Sequence, residues 1–251
     1  MRGVVLLFLL SLWLGGKVDA INQEVLANVV QEMRRFGLGG RQYAMAVLLT
    51  QQQCTQNRAI FDVGVQPQVV KDRLNGNNVY RGNRLIAATP LNVYAPKSDK
   101  IDHIDHAEYR LLSGSNKILS PMQTLINKAN HNAGDCIVFF STYSPCLEKC
   151  NKPDGRNNIL QFMPVFNGFD NNRKAFVFSS VWDPSRNHLE VTNPPWQEVL
   201  ESFSRIDRHI PVYRCVSFKE KNKWVNRCYH CVPNTDQCLM DTNSVHCLDG
   251  Y

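Results

Sequence analysis

Between residues 22 and 36, Val25, Leu26, Val29, Val30 and Met33 recur at three- and four-residue intervals. That apolar stripe predicts a helix closed by Gly37 and the Gly39-Gly40 pair. Tyr43 to Leu49 is apolar without helical gaps and predicts a buried strand, while Asn- and Gly-rich stretches at 75–78 and 82–83 predict a hairpin or irregular loop before a strand over 84–88. A helix is expected over Asp102 to Leu112 and another from Ser120-Pro121, with Met122, Leu125 and Ile126 as its apolar positions. Cys136 to Phe140 is a five-residue apolar strand, and Pro145 suits the first position of a helix soon after it, where a missing N–H costs nothing. Residues 158–166 read as helix and 174–181 as strand; Pro195-Trp196 opens an amphipathic helix through Val199, Leu200, Phe203 and Ile206, and 211–216 reads as the last strand. Apolar strands separated by helical patterns imply an α/β sheet covered on its faces.

The two ends follow different patterns. Met1-Arg2, the apolar run Val4 to Leu14 and small residues up to Ala20 have the layout of a secretory signal peptide over residues 1–20. The run is too short for a membrane span, which needs roughly 18 or more apolar residues. No later segment is long and apolar enough either, so an exported, extracellular product without stable membrane insertion is expected. No Asn-x-Ser/Thr sequon is present, so N-glycosylation is not expected. From Cys215 onward five cysteines fall in 37 residues with few large aliphatic side chains. Such a stretch makes little core alone, so 21–214 is expected to form the main domain and 215–251 a disulfide-stapled C-terminal extension.

Candidate chemistry lies in the middle of the chain. His106-Ala107-Glu108 stands in the 102–112 segment, Ser144-Pro145-Cys146 follows the 136–140 strand, and Cys150 is four residues further on. Zinc (Zn2+) takes imidazole and thiolate ligands, and a catalytic site keeps a fourth position for water beside three protein ligands. His106, Cys146 and Cys150 supply that set. On a helix starting at Pro145 the two cysteines would share a face and lie in its first turns, where the helix dipole favours thiolates. His106 and Glu108, two apart, do not share a helix face, so both reach one point only if the start of their helix is aimed at it.

His-x-Glu followed some 40 residues later by Pro-Cys and a second Cys resembles the zinc-dependent nucleoside and nucleobase deaminase superfamily. The stretch Phe139-Phe-Ser-Thr-Tyr-Ser-Pro-Cys146 is most similar to the AID/APOBEC-type branch, over a region from about Gly40 to Val216. The resemblance implies a three-layer cytidine-deaminase-like fold, a mixed five-stranded sheet flanked by helices. It also implies zinc held by His106, Cys146 and Cys150, with Glu108 as proton shuttle and hydrolytic loss of an exocyclic amine. Ala107, Thr142, Tyr143 and Ser144 would bound the substrate base. The chain departs from the commonest family spacing by placing three residues, Leu147-Glu148-Lys149, between the cysteines instead of two.

Nine cysteines are an odd number for an oxidising compartment. With Cys146 and Cys150 assigned to metal and Cys136 read as a buried free thiol in a central strand, Cys54, Cys215, Cys228, Cys231, Cys238 and Cys247 remain as candidate disulfide partners in any of fifteen pairings. A structural zinc site on Cys228, Cys231, Cys238 and either His246 or Cys247 is the alternative for the tail. Partners in view are a nucleoside, a nucleobase or a single-stranded nucleic acid, the last supported by Lys71, Arg73, Arg81 and Arg84 near Tyr80. The formal net charge of +6 is a mild excess that selects none of them. The competing class is an inactive secreted binding or defence protein that keeps a deaminase-like fold.

Overall fold

The computed structural model describes residues 21–55, 61–114, 118–128, 132, 134–182, 196–232 and 246–248. The leader expected over residues 1–20 and Cys238 lie outside them. Helix α1 (Gln23–Arg34) starts at Asn22, whose side chain accepts from the Val25 N–H at 2.8 Å, and buries Val25, Leu26, Val29, Val30 and Met33. Strand β1 (Ala44–Leu49) is buried at every position. Two short helices, α2 (Gln51–Thr55) and α3 (Pro67–Asn75), precede β2 (Tyr80–Arg81) and β3 (Leu85–Ala88). After β4 (Leu91–Tyr94) and β5 (Ile101–Asp105) come α4 (Ala107–Leu112), α5 (Pro121–Lys128) and β6 (Cys136–Tyr143). A 3-10 helix over Leu160–Phe166 leads to β7 (Lys174–Ser180), α6 (Trp196–Asp207), β8 (Val212–Glu220) and β9 (Lys223–His230).

The main sheet has seven strands in the order β2-β3-β1-β6-β7-β8-β9, where the family resemblance implied five, and β4 and β5 form a separate hairpin. It is mixed: β6, β7 and β8 are parallel, and β1, β3 and β9 pair antiparallel to their neighbours. Alternation along the strands divides the interior into two clusters. Ala44, Ala46, Leu48, Ile137, Phe139, Phe176 and Phe178 face α4, α5, the 160–166 turn helix and α6. Met45, Val47, Leu49, Val138, Phe140, Ala175 and Val177 face α1, α2 and α3. This is the three-layer arrangement, and it explains why the central strands read as unbroken apolar runs.

Several elements differ from the sequence expectation. Residues 101–112 are not one helix: β5 pairs with β4, and the helix begins only at Ala107. Period-two spacing of Ile101, His103 and Asp105 fits a hairpin strand, and His103 bridges Asp102 and Asp105 at 2.7 and 3.3 Å. No α-helix starts at Pro145; residues 147–150 form a turn, because Pro153 and Gly155 follow too closely for a helix to propagate. Residues 160–166 are 3-10 rather than α-helical, with Pro164 inside. The strand after Pro211 runs on to Glu220 and turns back into β9.

Cysteine pairing also differs. Cys136 is not a free thiol: it bonds Cys54, tying the start of β6 to α2, while Cys215 pairs with Cys228 and Cys231 with Cys247. Cys215 and Cys228 face each other in the β8–β9 register, so the cysteine-rich stretch begins inside the main sheet. These bonds leave no thiolate set at Cys228, Cys231 and Cys247 for a structural zinc. Replacing Cys136 with Ala opens a link spanning 82 residues of sequence. Urea denaturation should show a loss of roughly 2–4 kcal/mol; an unchanged midpoint would argue against that pairing.

Candidate metal centre

His106 sits between β5 and α4 in extended conformation, φ −69° and ψ 151°, as the residue before the helix. Because it lies outside the helix, it escapes the constraint that two residues two apart on a helix face different ways. Glu108, in the first turn, is buried and points inward. Cys146 and Cys150 come from the turn after β6, where the N–H of Cys150 bonds the Cys146 carbonyl at 3.1 Å. His106 Nδ1 lies 3.0 Å from Cys150 Sγ and 3.7 Å from Cys146 Sγ, and the two sulfurs are 3.4 Å apart. A tetrahedral ion with Zn–S bonds of about 2.3 Å and Zn–N of about 2.0 Å places its ligands roughly 3.5–3.8 Å from one another. The three side chains therefore form a group that could hold one metal ion.

Electrostatics within the group are strongly coupled. The S–H of Cys150 and the nearby His106 stabilise a thiolate on Cys146 and pull its pKa down to about 4, against the opposing effect of burial. Cys150 is pushed well above the ordinary thiol value, because it holds the proton its neighbour gives up and is itself buried. Burial works to lower the pKa of His106, but the hydrogen bond and negative charge of Cys146 outweigh it and the net shift is upward. Glu108 is raised by burial, with the Ser141 hydrogen bond opposing. Oε1 of Glu108 accepts from Ser141 Oγ, while Oε2 is buried with no hydrogen-bond partner.

Other neighbours hold this geometry. Asn157 donates from Nδ2 to the Ile104 carbonyl at 2.8 Å and accepts from the His106 N–H at 3.4 Å. Arg205 on α6 donates to the Asn151 carbonyl at 2.9 Å, fixing the turn that carries Cys150. Neither residue stands near the motifs in sequence, so no local signal marked them. Ser141 lay inside the quoted motif, but only the fold shows that it faces Glu108.

Of the four expected pocket residues, Ala107 is fully buried under the site. The Thr142 hydroxyl is engaged with the Tyr43 backbone at 3.2 Å, and the Ser144 hydroxyl accepts from the Trp182 N–H at 2.9 Å. Tyr143 is half-buried with its ring edge-on to Trp182, centroids 5.5 Å apart. Arg84, one of the basic residues considered for nucleic acid, is held against the ends of β1 and β6 by the Leu48 carbonyl at 3.0 Å and Asp135 at 3.7 Å.

The family model described as Secreted Novel AID/APOBEC-like Deaminase 1 matches residues 23–251. The chain belongs to this family. No curated protein and no solved structure matches it. Family membership agrees with the His-x-Glu and Ser-Pro-Cys motifs and with the three-layer fold around them. The family is described as secreted; disulfides accord with that description, and among the described residues no helix is long and apolar enough to cross a membrane. If Cys146 and Cys150 are metal ligands, a thiophilic divalent cation should protect both from alkylation. Peptide mapping should find them labelled in metal-free protein and at least tenfold less labelled after metal loading; equal labelling would count against a shared ion.

Proposed function

We propose that the protein is a secreted zinc-dependent hydrolytic deaminase acting on the exocyclic amine of a cytosine-like base, free or within single-stranded nucleic acid. The observation that carries this reading is Glu108: a fully buried carboxylate, fixed through one oxygen by Ser141 and bare at the other, beside the one group of metal-ligating side chains found among the described residues. A purely structural metal would need no such acid. His106, Cys146 and Cys150 are the ligands, leaving one position of a tetrahedron open.

Zinc held there supplies the Lewis acidity that makes water nucleophilic near neutral pH. The protein's own residues handle the protons. Glu108 Oε2 accepts a proton as water adds to the amine-bearing ring carbon and passes it to the ring nitrogen; it then takes the second proton from the added hydroxyl and gives it to the amine, which leaves as ammonia as the ring carbonyl forms. Burial raises its pKa and so suits the group to take the proton from water, which a carboxylate of ordinary acidity would accept reluctantly. Ser141 holds the carboxylate so that Oε1 is spent on the sheet and Oε2 is left for transfer. Tyr143, half-buried beside Trp182, is the side chain on this rim that can bound a base; the hydroxyls of Thr142 and Ser144 serve the loop backbone.

Two measurements test the reading. Metal content of the exported chain should approach one zinc, and replacing His106, Cys146 or Cys150 with Ala should abolish it. Ammonia release should be assayed with cytidine, deoxycytidine, adenosine, guanine and single-stranded DNA and RNA. Glu108→Gln should keep the zinc and lower turnover at least about 100-fold. Absence of zinc would sink the site, and zinc without ammonia from any substrate, unchanged in Glu108→Ala, would favour the binding-protein alternative. Because Cys150 and His106 hold their protons tightly, and metal must displace them, zinc affinity should fall as pH drops through and below neutrality. A zinc titration showing affinity flat with pH would contradict that protonation pattern.

A further inference from the structure

The far edge of the sheet carries a feature that deamination does not use. β7 pairs with β8 from Phe176–Val212 only as far as Phe178–Arg214, and β7 ends at Ser180, level with Val216 if that register is continued. Four more residues of β8 run on paired with β9: Arg34 and Gln31 of α1 still hold the Ser217–Asn226 pair, and the last three pairs project beyond it for roughly 10 Å as a two-stranded tip. The tip is tightly closed: Glu220 pairs with Lys223, and Lys221 and Asn222 between them have φ of 47° and 64°, as a two-residue primed turn requires. Asn and Gly are the residues that suit such positions, so Lys221 is placed there against backbone preference.

The tip is cationic and aromatic. Lys219, Lys221, Lys223 and Arg227 stand against one acid, Glu220, and Arg227 is engaged by it at 2.9 Å. Trp224 is 69% exposed. The Lys219 ammonium lies 6.0 Å from the Trp224 ring centroid on the α1 side, and Arg227 lies 5.0 Å from that of Phe218 on the opposite side. Folding alone gives no reason to hold an indole in water at the end of a projecting ribbon. Indoles favour the headgroup level of a bilayer, and lysines near an anionic surface each add to binding.

We infer that the β8–β9 tip docks the exported protein on the surface of an anionic lipid bilayer. Trp224 sits at headgroup depth, and Lys219, Lys221 and Lys223 face lipid phosphates. Shape favours this partner over a nucleic-acid strand. The tip is a convex ribbon with cations on both faces, which meets a broad surface end-on, whereas a single strand is tracked by a concave basic groove. Contact is peripheral and requires no membrane-spanning helix.

The test is flotation of the full exported chain with vesicles of phosphatidylcholine containing about 30 mol% phosphatidylglycerol, beside phosphatidylcholine alone. Binding is expected only to the anionic vesicles and should fall as salt rises. Each lysine replaced by Ala should weaken it about fivefold, and the triple variant about a hundredfold. Trp224→Ala should weaken it and remove the blue shift of tryptophan emission on binding. All variants should keep the thermal midpoint of the parent, because these side chains are exposed. Equal binding to neutral vesicles, unchanged binding by the variants, or vesicles ignored while a thymidine oligonucleotide binds in a Trp224-dependent manner would each overturn the proposal. None of these readouts depends on deaminase activity.

Discussion

Burial of β6 on both faces is the constraint from which the site follows. This strand lies between β1 and β7, and its residues from Cys136 to Phe140 have essentially no exposure. Its odd positions, Ile137 and Phe139, pack towards α4, and its even positions, Val138 and Phe140, pack towards α1. A slip of one residue would exchange the two sets, so packing on both sides fixes the register. That register decides the chemistry. Ser141 continues the odd series and meets Glu108, while the turn after Tyr143 brings Cys146 and Cys150 to His106. The disulfide to Cys54 anchors the other end of the same strand.

A carboxylate, two thiols and an imidazole packed into an apolar cluster would be costly if all were ionised, since charges taken from water need compensation. The group limits that cost by sharing protons: Cys150 keeps one, Cys146 gives one up, and the Cys146 thiolate favours protonated His106. Glu108 gains one side-chain hydrogen bond, from Ser141, and its Oε2 is left without a partner. Buried polar atoms are nearly always satisfied in native proteins, so an orphan oxygen beside metal-ligating groups marks a place for a ligand or a reacting proton. Asn157 and Arg205 add stiffness by gripping backbone on both sides of the group.

The helices and strands with strong apolar periodicity were legible from the sequence: α1, β1, β6, β7 and α6 lie where the pattern places them. Weaker signals failed for identifiable reasons. The segment before His106 became a strand because β4 offers backbone partners, and pairing across a hairpin is not visible in one strand's residues. The expected helix at Pro145 gave way to a turn because Pro153 and Gly155 follow within ten residues. His106, Cys146 and Cys150 come together despite both changes, since their grouping depends on where three atoms converge and not on the element that carries them. The extra strand β9 was hidden in a stretch poor in aliphatic residues, where Cys215 and Cys228 provide by covalent bond what packing provides elsewhere.

Cysteines in this chain are sorted by geometry. Cys215 and Cys228 are direct cross-strand neighbours, and Cys231, bonded through its N–H to the Val212 carbonyl, holds Cys247 beside the start of β8. Val212 is level with Phe176, and the His246 carbonyl beside Cys247 accepts from Arg214, level with Phe178, so this staple braces the β8–β9 side of the sheet. Cys146 and Cys150, by contrast, stay unpaired, with their sulfurs 3.4 Å apart and His106 Nδ1 at 3.7 and 3.0 Å from them. An exported chain that uses disulfides elsewhere keeps such a pair reduced most readily when both sulfurs are already ligands, since a metal removes the free thiolate that exchange requires. Were an ion bound there, folding of the turn at Cys146 and its capture would be a single event, and the three disulfides found among the described residues would close around an occupied centre.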